Sequence, residues 1–193
     1  MINIIKEANR ERYNTGTVVD SYMQEQYHVL RLQKAFKLLK NYLDRNFQSL
    51  SNSEIQILEI AGSVGYMSTC LFNEGYSILL TDIESTPLNV AVEKNPNLHT
   101  ALMDAAESFP FKDNTFHAIY AGDIIEHLFD TSLFLNECYR CLKSDGILLL
   151  TTPNLASLED RVRFLFGKSP RQINPTHEFL YLHIRPFTYH KMK

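Results

Sequence analysis

The sequence is short of cysteine, of positive charge and of long hydrophobic runs. Three cysteines among 193 residues are too few, and odd in number, for a disulfide framework. A net charge of −3 gives no general basic surface for nucleic acid, so we expect no nucleic-acid partner. Apolar runs such as Ile147–Leu150 are far too short to cross a bilayer. The start of the chain lacks the basic and apolar segments of a secretory signal, so we expect a cytoplasmic protein without a membrane span.

Two of the cysteines, Cys138 and Cys141, have C-x-x-C spacing, which is found in metal and redox sites. They lie in a stretch with the periodicity of an amphipathic helix, and no second Cys/His pair stands at zinc-finger spacing. We therefore interpret them as helix-packing residues and predict no metal site in this chain.

Strand and helix patterns alternate along most of the chain. Helical spacing covers residues 20–46 and suggests a helical lid or cap over residues 1–50, followed by a second domain at 51–193. Short apolar runs alternate there with helical segments: strands at 55–60, 76–81, 98–103, 116–121 and 147–152, and helices at 66–73, 87–94 and 131–142. Residues 145–146 are predicted as the turn before the fifth strand. The pattern predicts an α/β fold with a doubly wound parallel sheet, which binds ligands beyond the carboxyl ends of its strands.

Small residues follow the first predicted strand, where they would let a ligand approach the backbone: Ala61, Gly62, Ser63 and Gly65. A nicotinamide oxidoreductase would require G-x-G-x-x-G at this point, because its pyrophosphate lies almost on the main chain. That motif is missing, which argues against a dinucleotide.

An acidic residue lies at or near the end of each of the first three strands: Glu59, Asp82 and Asp104. A carboxylate after the second strand is able to accept hydrogen bonds from both hydroxyls of a ribose. Asp82 would alternatively cap the next helix, and Asp104 would be a solvated loop acid. Three such acids after successive strands favour a nucleoside ligand.

These residues belong to a longer pattern that resembles the class I S-adenosylmethionine-dependent methyltransferases. The similarity covers roughly residues 55–154 and includes five segments: Glu59–Gly65, Asp104–His117, Gly122–Leu128 with its Glu-His-Leu sequence, Tyr139–Gly146, and Thr151–Asn154. Departures are Ala61 and Ser63 in place of the usual glycines, His117 in place of an acid, and Ser144-Asp145 in place of Pro-Gly.

The resemblance implies a Rossmann-like domain with S-adenosylmethionine as cofactor and S-adenosylhomocysteine as product. Glu59 and the Ala61–Gly65 loop would then face the methionine part, Asp82 with Ile83 the ribose, and Asp104 with Ala105 the adenine. Gly122 would also contact the cofactor. We expect methyl transfer to an oxygen or nitrogen atom of a small molecule. The alternative is a degenerate domain that serves as a scaffold or regulatory subunit, which Ala61, Ser63 and the missing C-terminal hairpin of the family suggest.

His127 is the first candidate for a catalytic base, since the segment after strand 4 lies beside the reactive end of the cofactor in this family. A helix-packing histidine would explain it as well. His177 and His183 are further candidates, and three tyrosines of the N-terminal segment would form part of a lid: Tyr13, Tyr22 and Tyr27.

A basic and aromatic stretch follows strand 5 and would suit an anionic or lipid-like acceptor: Arg161, Arg163, Lys168 and Arg171 with Phe164–Phe166. A solvated helix with one buried face explains the same residues.

The family usually ends with an antiparallel hairpin of strands 6 and 7, which we expect to be partly or wholly missing here. The edge of Ile147–Leu150 would then be unpaired, which is an aggregation hazard. A truncated chain, a homodimer or partner subunit over this edge, or pairing with Glu178–Ile184 would each account for it.

Overall fold

The computed structural model describes residues 26–171 and 183–189. Five α-helices are present in these ranges: α1 (Gln26–Asn46), α2 (Tyr66–Asn73), α3 (Ser85–Lys94), α4 (Thr131–Cys141) and α5 (Leu158–Leu165). Five strands accompany them: β1 (Gln56–Ile60), β2 (Ser77–Asp82), β3 (His99–Leu102), β4 (Phe116–Gly122) and β5 (Leu142–Thr151). Short 3-10 helices lie at Asn52–Glu54 and Ile125–His127.

The strands form one parallel sheet in the order β3-β2-β1-β4-β5. The chain steps outwards from β1 to β2 and β3, then returns to place β4 on the other side of β1. This reversal opens a crevice at the carboxyl ends of β1 and β4, the position where doubly wound sheets bind their ligands. The predicted fold class is therefore confirmed.

Apolar residues cover both faces of the sheet, as a parallel sheet requires. Alternate residues of a strand point to opposite faces, so Ile57 joins one core and Leu58 the other. Ala35, Leu39 and Leu43 of α1 pack in the same core as Ile57. Helix α1 thus lies on the sheet and contributes to its burial.

The C-x-x-C pair lies on the buried face of α4 and belongs to the opposite core. Both side chains are fully buried there, as the packing interpretation predicts. Burial raises the pKa of the Cys138 thiol to about 12, so this thiol stays protonated at neutral pH.

The predicted turn at Asp145-Gly146 is wrong, because β5 begins at Leu142 directly after α4. Leu142 pairs with Phe116, but the next pair joins Ile147 to Ala118, so β5 accommodates extra residues as an irregularity within the strand. Asp145 takes a left-handed φ of 62° there.

Strand β5 pairs with β4 on one side and forms the outer edge of the sheet, and within residues 26–171 and 183–189 no further strand pairs with its outer side. Its apolar side chains are nevertheless half-buried, with Ile147 against one core and Leu148 against the other. An isolated bridge joins Asn154 to Phe187 beyond the strand's end. Most of the segment 178–184 lies outside the described residues. A partner over this edge stays a prediction.

A membrane-spanning helix would have to be longer or more apolar than any helix among the described residues.

Candidate functional site

The three predicted acids reach the same edge of the sheet on adjacent strands. Glu59 lies near the end of β1 and Asp82 ends β2, where it pairs in register with Leu102 of β3. Asp104 follows β3 by two positions. Because neighbouring parallel strands end at one edge, the carboxylates border the crevice in the order β1, β2, β3.

The loop after β1 has a backbone course that normally requires glycine. Ala61, Ser63 and Gly65 all have left-handed φ angles, of 54°, 53° and 69°. The two non-glycine residues therefore replace the usual family glycines without changing this course, at a cost of about 1–2 kcal/mol each. Gly62 is needed for another reason, since an added Cβ would lie 2.5 Å from both the Glu59 and Leu80 side chains.

The Glu59 carboxyl group is almost completely buried beneath this loop. Its Oε2 accepts hydrogen bonds from the Ser68 main-chain N–H, at 2.8 Å, and from the Ser68 hydroxyl. Burial raises the Glu59 pKa to about 7, although the bonds from Ser68 oppose this shift. The group is thus an acid that titrates near neutral pH at the mouth of β1.

The Asp82 carboxylate ties the end of β2 to the loop. Oδ2 accepts from the Ser63 N–H at 2.9 Å, and Oδ1 accepts from the Glu84 N–H at 3.1 Å. Burial raises the Asp82 pKa, and these main-chain bonds oppose the shift. Glu84, not Asp82, occupies the cap position of α3, so the capping alternative is wrong. Ile83 lies half-buried beside it.

Asp104 begins a tight turn after β3. Its Oδ1 accepts from the Ala106 N–H at 2.9 Å, and its main-chain oxygen accepts from Glu107 at 3.2 Å. Ala105 between them is buried. The turn places this pair beside Asp82, because Met103 donates its N–H to the Asp82 carbonyl oxygen at 2.9 Å.

On the far side of the crevice, β4 ends in Gly122. An added Cβ there would lie 2.6 Å from the Tyr120 hydroxyl, so glycine leaves room for the tyrosine. Burial, reinforced by the charge of Glu59, raises the Tyr120 pKa to about 12. The next residue, Asp123, forms an ion pair with Arg31 of α1. Tyr120 and Arg31 were not predicted as site residues, because nothing in the helical pattern separates Arg31 from an ordinary surface cation.

A second group of side chains lies just after β4, at residues that are distant in the sequence. The His127 and His183 rings meet edge to face with centroids 4.8 Å apart. Glu126 is buried beside them, and its Oε2 accepts from the Thr152 hydroxyl at 3.0 Å. Burial and the charge of Asp123 raise the Glu126 pKa to about 8. Both histidines were predicted from the sequence as candidate site residues, whereas Glu126 was not.

Other predicted lid and base residues cannot be placed. Tyr13, Tyr22 and His177 lie outside the described residues, as does the side chain of Tyr27.

The basic stretch forms α5 and the turn after it. Arg163 donates from Nε to the Ser169 carbonyl oxygen at 2.9 Å, and the Arg171 N–H donates to the buried Asp160 at 2.6 Å. Leu165 and Phe166 are largely exposed. The Arg163 side chain therefore stabilises the local turn, while the apolar side chains face outwards.

Residues 58–150 match the family described as "Methyltransferase domain". This part of the chain, 93 of the 193 residues, is similar to methyltransferase domains. The matched region includes Glu59, the loop after β1, Asp82, Asp104 and the Glu126-His127 pair, so the resemblance predicted from the sequence is confirmed. The match also favours a methyltransferase over a nicotinamide oxidoreductase.

Curated proteins with similar sequences are described as methyltransferases. A probable S-adenosylmethionine-dependent methyltransferase of Mycobacterium tuberculosis is 27% identical over 121 residues, which are 63% of this chain and 41% of that protein. The ubiquinone/menaquinone biosynthesis C-methyltransferase UbiE of Haemophilus ducreyi is 31% identical over 103 residues, 49% of this chain and 40% of that protein. The chain thus spans well under half the length of these relatives.

A solved structure has the same fold as this chain. A putative methyltransferase from Bacillus halodurans superposes with a TM-score of 0.60 at 22% identity, covering 83% of this chain and 64% of that one. At this identity the similarity shows only the fold, which is the Rossmann-like fold of class I methyltransferases.

Proposed function

We propose that the domain binds S-adenosylmethionine across the carboxyl ends of β1, β2 and β3 and transfers its methyl group to a small molecule. The observation that carries the proposal is the alignment of Glu59, Asp82 and Asp104 along one edge of a methyltransferase-type sheet. Glu59 and the Ala61–Gly65 loop face the methionine part, Asp82 with Ile83 the ribose, and Asp104 with Ala105 the adenine. Gly122 borders the site from β4, and S-adenosylhomocysteine is the product.

The chemistry of these side chains fits such a ligand. The Asp82 oxygens accept main-chain N–H groups of Ser63 and Glu84, whereas a carboxylate has about four acceptor positions, so capacity remains for ribose hydroxyls. The Glu59 carboxyl group is held near its titration point by burial, and a nearby cation would favour its charged form. A cationic ligand such as a methionine ammonium or sulfonium is the natural complement of this site.

The cofactor supplies a methyl group that is already activated, so the chain has only to align the acceptor and exclude water. Helix α1 and the Arg31–Asp123 ion pair border the crevice at the end of β4. Beyond β4, His127 offers a proton acceptor on the acceptor side. A base is required only when the acceptor loses a proton. His127 is the side chain that we assign to this end of the site.

We further propose an oxygen or nitrogen acceptor, because proton acceptors after β4 suit a heteroatom that is deprotonated on methylation. The relative named as a C-methyltransferase shows that the family match alone does not select this atom. The exposed apolar and basic residues of α5 favour an anionic or lipid-like molecule.

Calorimetric titration with S-adenosylhomocysteine tests the proposal. We expect micromolar binding, about −8 kcal/mol, that Asp82→Ala abolishes. Glu93→Ala removes an exposed carboxylate on α3 and serves as the matched control. A wild-type chain that is folded by circular dichroism but binds no S-adenosylhomocysteine would favour the scaffold alternative instead.

A further inference from the structure

Glu126 holds a buried carboxylate oxygen without a hydrogen-bond partner in the described part of the chain. Its Oε2 accepts from Thr152, but Oε1 is orphaned although the residue is only 2% exposed. Buried polar atoms nearly always have partners, so an orphaned one calls for a missing ligand. A bound cation would supply the missing interaction.

The neighbours of the Glu126 carboxyl group are metal-ligating groups. One ligand atom each of Glu126, His127 and His183 lies within 4.8 Å of the other two. In a tetrahedral site with metal–ligand bonds near 2.0–2.1 Å, neighbouring ligand atoms lie about 3.3 Å apart. Side-chain adjustments of about 1 Å would therefore bring the three atoms to ligand distance of one ion. We propose that Glu126, His127 and His183 bind a divalent transition-metal ion.

The position of His183 is held by contacts on both sides of it. The Arg185 N–H donates to the Glu126 carbonyl oxygen at 3.1 Å, and its guanidinium donates to the carbonyl oxygens of Leu128, at 3.0 Å, and Phe129. Further along, the Leu155 N–H donates to the Phe187 carbonyl oxygen at 2.9 Å. This anchoring brings His183 to His127 from a distant part of the sequence. It pre-organises the donor set as metal sites require.

The donor types select the class of ion. Two imidazole nitrogens and one carboxylate oxygen suit zinc, cobalt, iron or manganese, whereas magnesium and calcium prefer all-oxygen sites. Three protein ligands also leave a coordination position open, as in catalytic zinc sites. This proposal departs from the expectation of no metal site, which was based on the C-x-x-C pair.

The role of the ion rests on the proposed function. The donor set follows β4, next to the proposed cofactor site, and an acceptor bound to the ion would lie on that side of the site. A hydroxyl bound there has a lowered pKa and releases its proton to water. Its oxygen then bonds to the methyl carbon as the carbon–sulfur bond breaks, which yields the methyl ether and S-adenosylhomocysteine. His127 would act in this case as a ligand and not as a base.

Titration of the chelator-treated full chain with Co²⁺ alone tests the site by visible absorption and calorimetry. We expect one Co²⁺ per chain with micromolar or tighter affinity. His127→Ala and His183→Ala should each weaken it at least about 100-fold, since even outer-shell changes cost 10–100-fold. Glu126→Gln, which keeps the side-chain shape, should weaken it similarly. His99→Ala, which removes an exposed histidine at the start of β3, should leave it unchanged.

Circular dichroism and melting temperature establish that each variant is folded. A folded wild-type chain that binds no Co²⁺, or a His183→Ala variant that binds it as tightly as wild type, overturns the metal site. S-adenosylhomocysteine titration of the same samples separates the two proposals. Co²⁺ binding without S-adenosylhomocysteine binding overturns the proposed function alone, and the reverse result overturns the metal site alone.

Discussion

The main-chain N–H of Ser63 donates to the Asp82 carboxylate over 2.9 Å, which joins the loop after β1 to the end of β2. One side chain thus fixes the shape of the loop and borders the proposed ribose position. Stability and ligand binding are therefore coupled at Asp82.

Replacing Asp82 with alanine should lower the free energy of unfolding by about 2 kcal/mol, because the N–H groups of Ser63 and Glu84 lose a buried acceptor. Urea denaturation measures this loss. Glu93→Ala, on the exposed side of α3, should change stability by less than about 0.5 kcal/mol. An unchanged urea midpoint for Asp82→Ala would contradict the coupling.

The left-handed residues of the loop should tolerate glycine well. Ser63→Gly and Ala61→Gly relieve about 1–2 kcal/mol of backbone strain, against about 0.5–1 kcal/mol from the greater freedom of the unfolded chain. We expect each to be stabilising by up to about 1 kcal/mol in urea denaturation. Ala91→Gly, in the buried face of α3, should be destabilising instead. A loss of stability in both loop variants would show that their side chains make compensating contacts.

Gly62→Ala should have the opposite effect, although it lies between those two residues. Its new methyl group would meet the Glu59 and Leu80 side chains at 2.5 Å. Overpacking of this kind costs about 1–3 kcal/mol. Thermal unfolding of Gly62→Ala alone and together with Leu80→Ala measures the effect. The double variant should be less destabilised than the sum of the two single variants, because Leu80→Ala removes part of the clash. If the two losses of stability simply add, there is no clash.

Glu59 should make stability depend on pH between about 4.5 and 7. Its pKa is raised in the folded state, so the protonated form is favoured there. The contribution of Glu59 to the free energy of unfolding is therefore complete below pH 4.5 and is lost as pH rises through about 7. The effect is of the order of 3 kcal/mol. Relative to wild type, Glu59→Gln should therefore gain stability from pH 5 to pH 8 in urea denaturation. The difference between Glu93→Gln and wild type should stay constant, and a constant difference for Glu59→Gln would refute the raised pKa.

Arg140 should anchor the segment before β4. Its guanidinium donates to the Glu137 carboxylate and to the carbonyl oxygens of Phe109, at 3.1 Å, and Phe111, at 2.7 Å. Arg140→Met should lower the free energy of unfolding by about 2 kcal/mol at pH 7. Arg140 lowers the Glu137 pKa to about 2, so this stabilisation is present above pH 4.5 and is lost as pH falls through about 2.

Urea denaturation at several pH values measures the Arg140→Met loss, which should shrink as pH falls from 4.5 towards 2. Arg45→Met, at the exposed end of α1, is the control and should cost little at any pH. A loss that does not change with pH would contradict the charge-dependent contact.

Local patterns predicted much of the fold. Alternation of short apolar runs with helical spacing was enough for the parallel sheet, and the predicted bounds of α2 agree with the structure. The positions of Glu59, Asp82 and Asp104 followed from the same pattern, because the end of a parallel strand faces the ligand edge whatever the rest of the chain does. The turn at Asp145-Gly146 was predicted wrongly, because turn residues are equally suited to an irregularity within a strand.

Sequence alone therefore determined the layers of the fold and the edge of the sheet at which the candidate site lies, since periodicity records which face of each element is buried. Only the tertiary structure decided which distant side chains meet. It brought Arg31 to Asp123, His183 to Glu126 and His127, and the loop residues Ala61 and Ser63 into left-handed conformations. These contacts depend on packing between segments far apart in the chain, and no local pattern of residues encodes that packing.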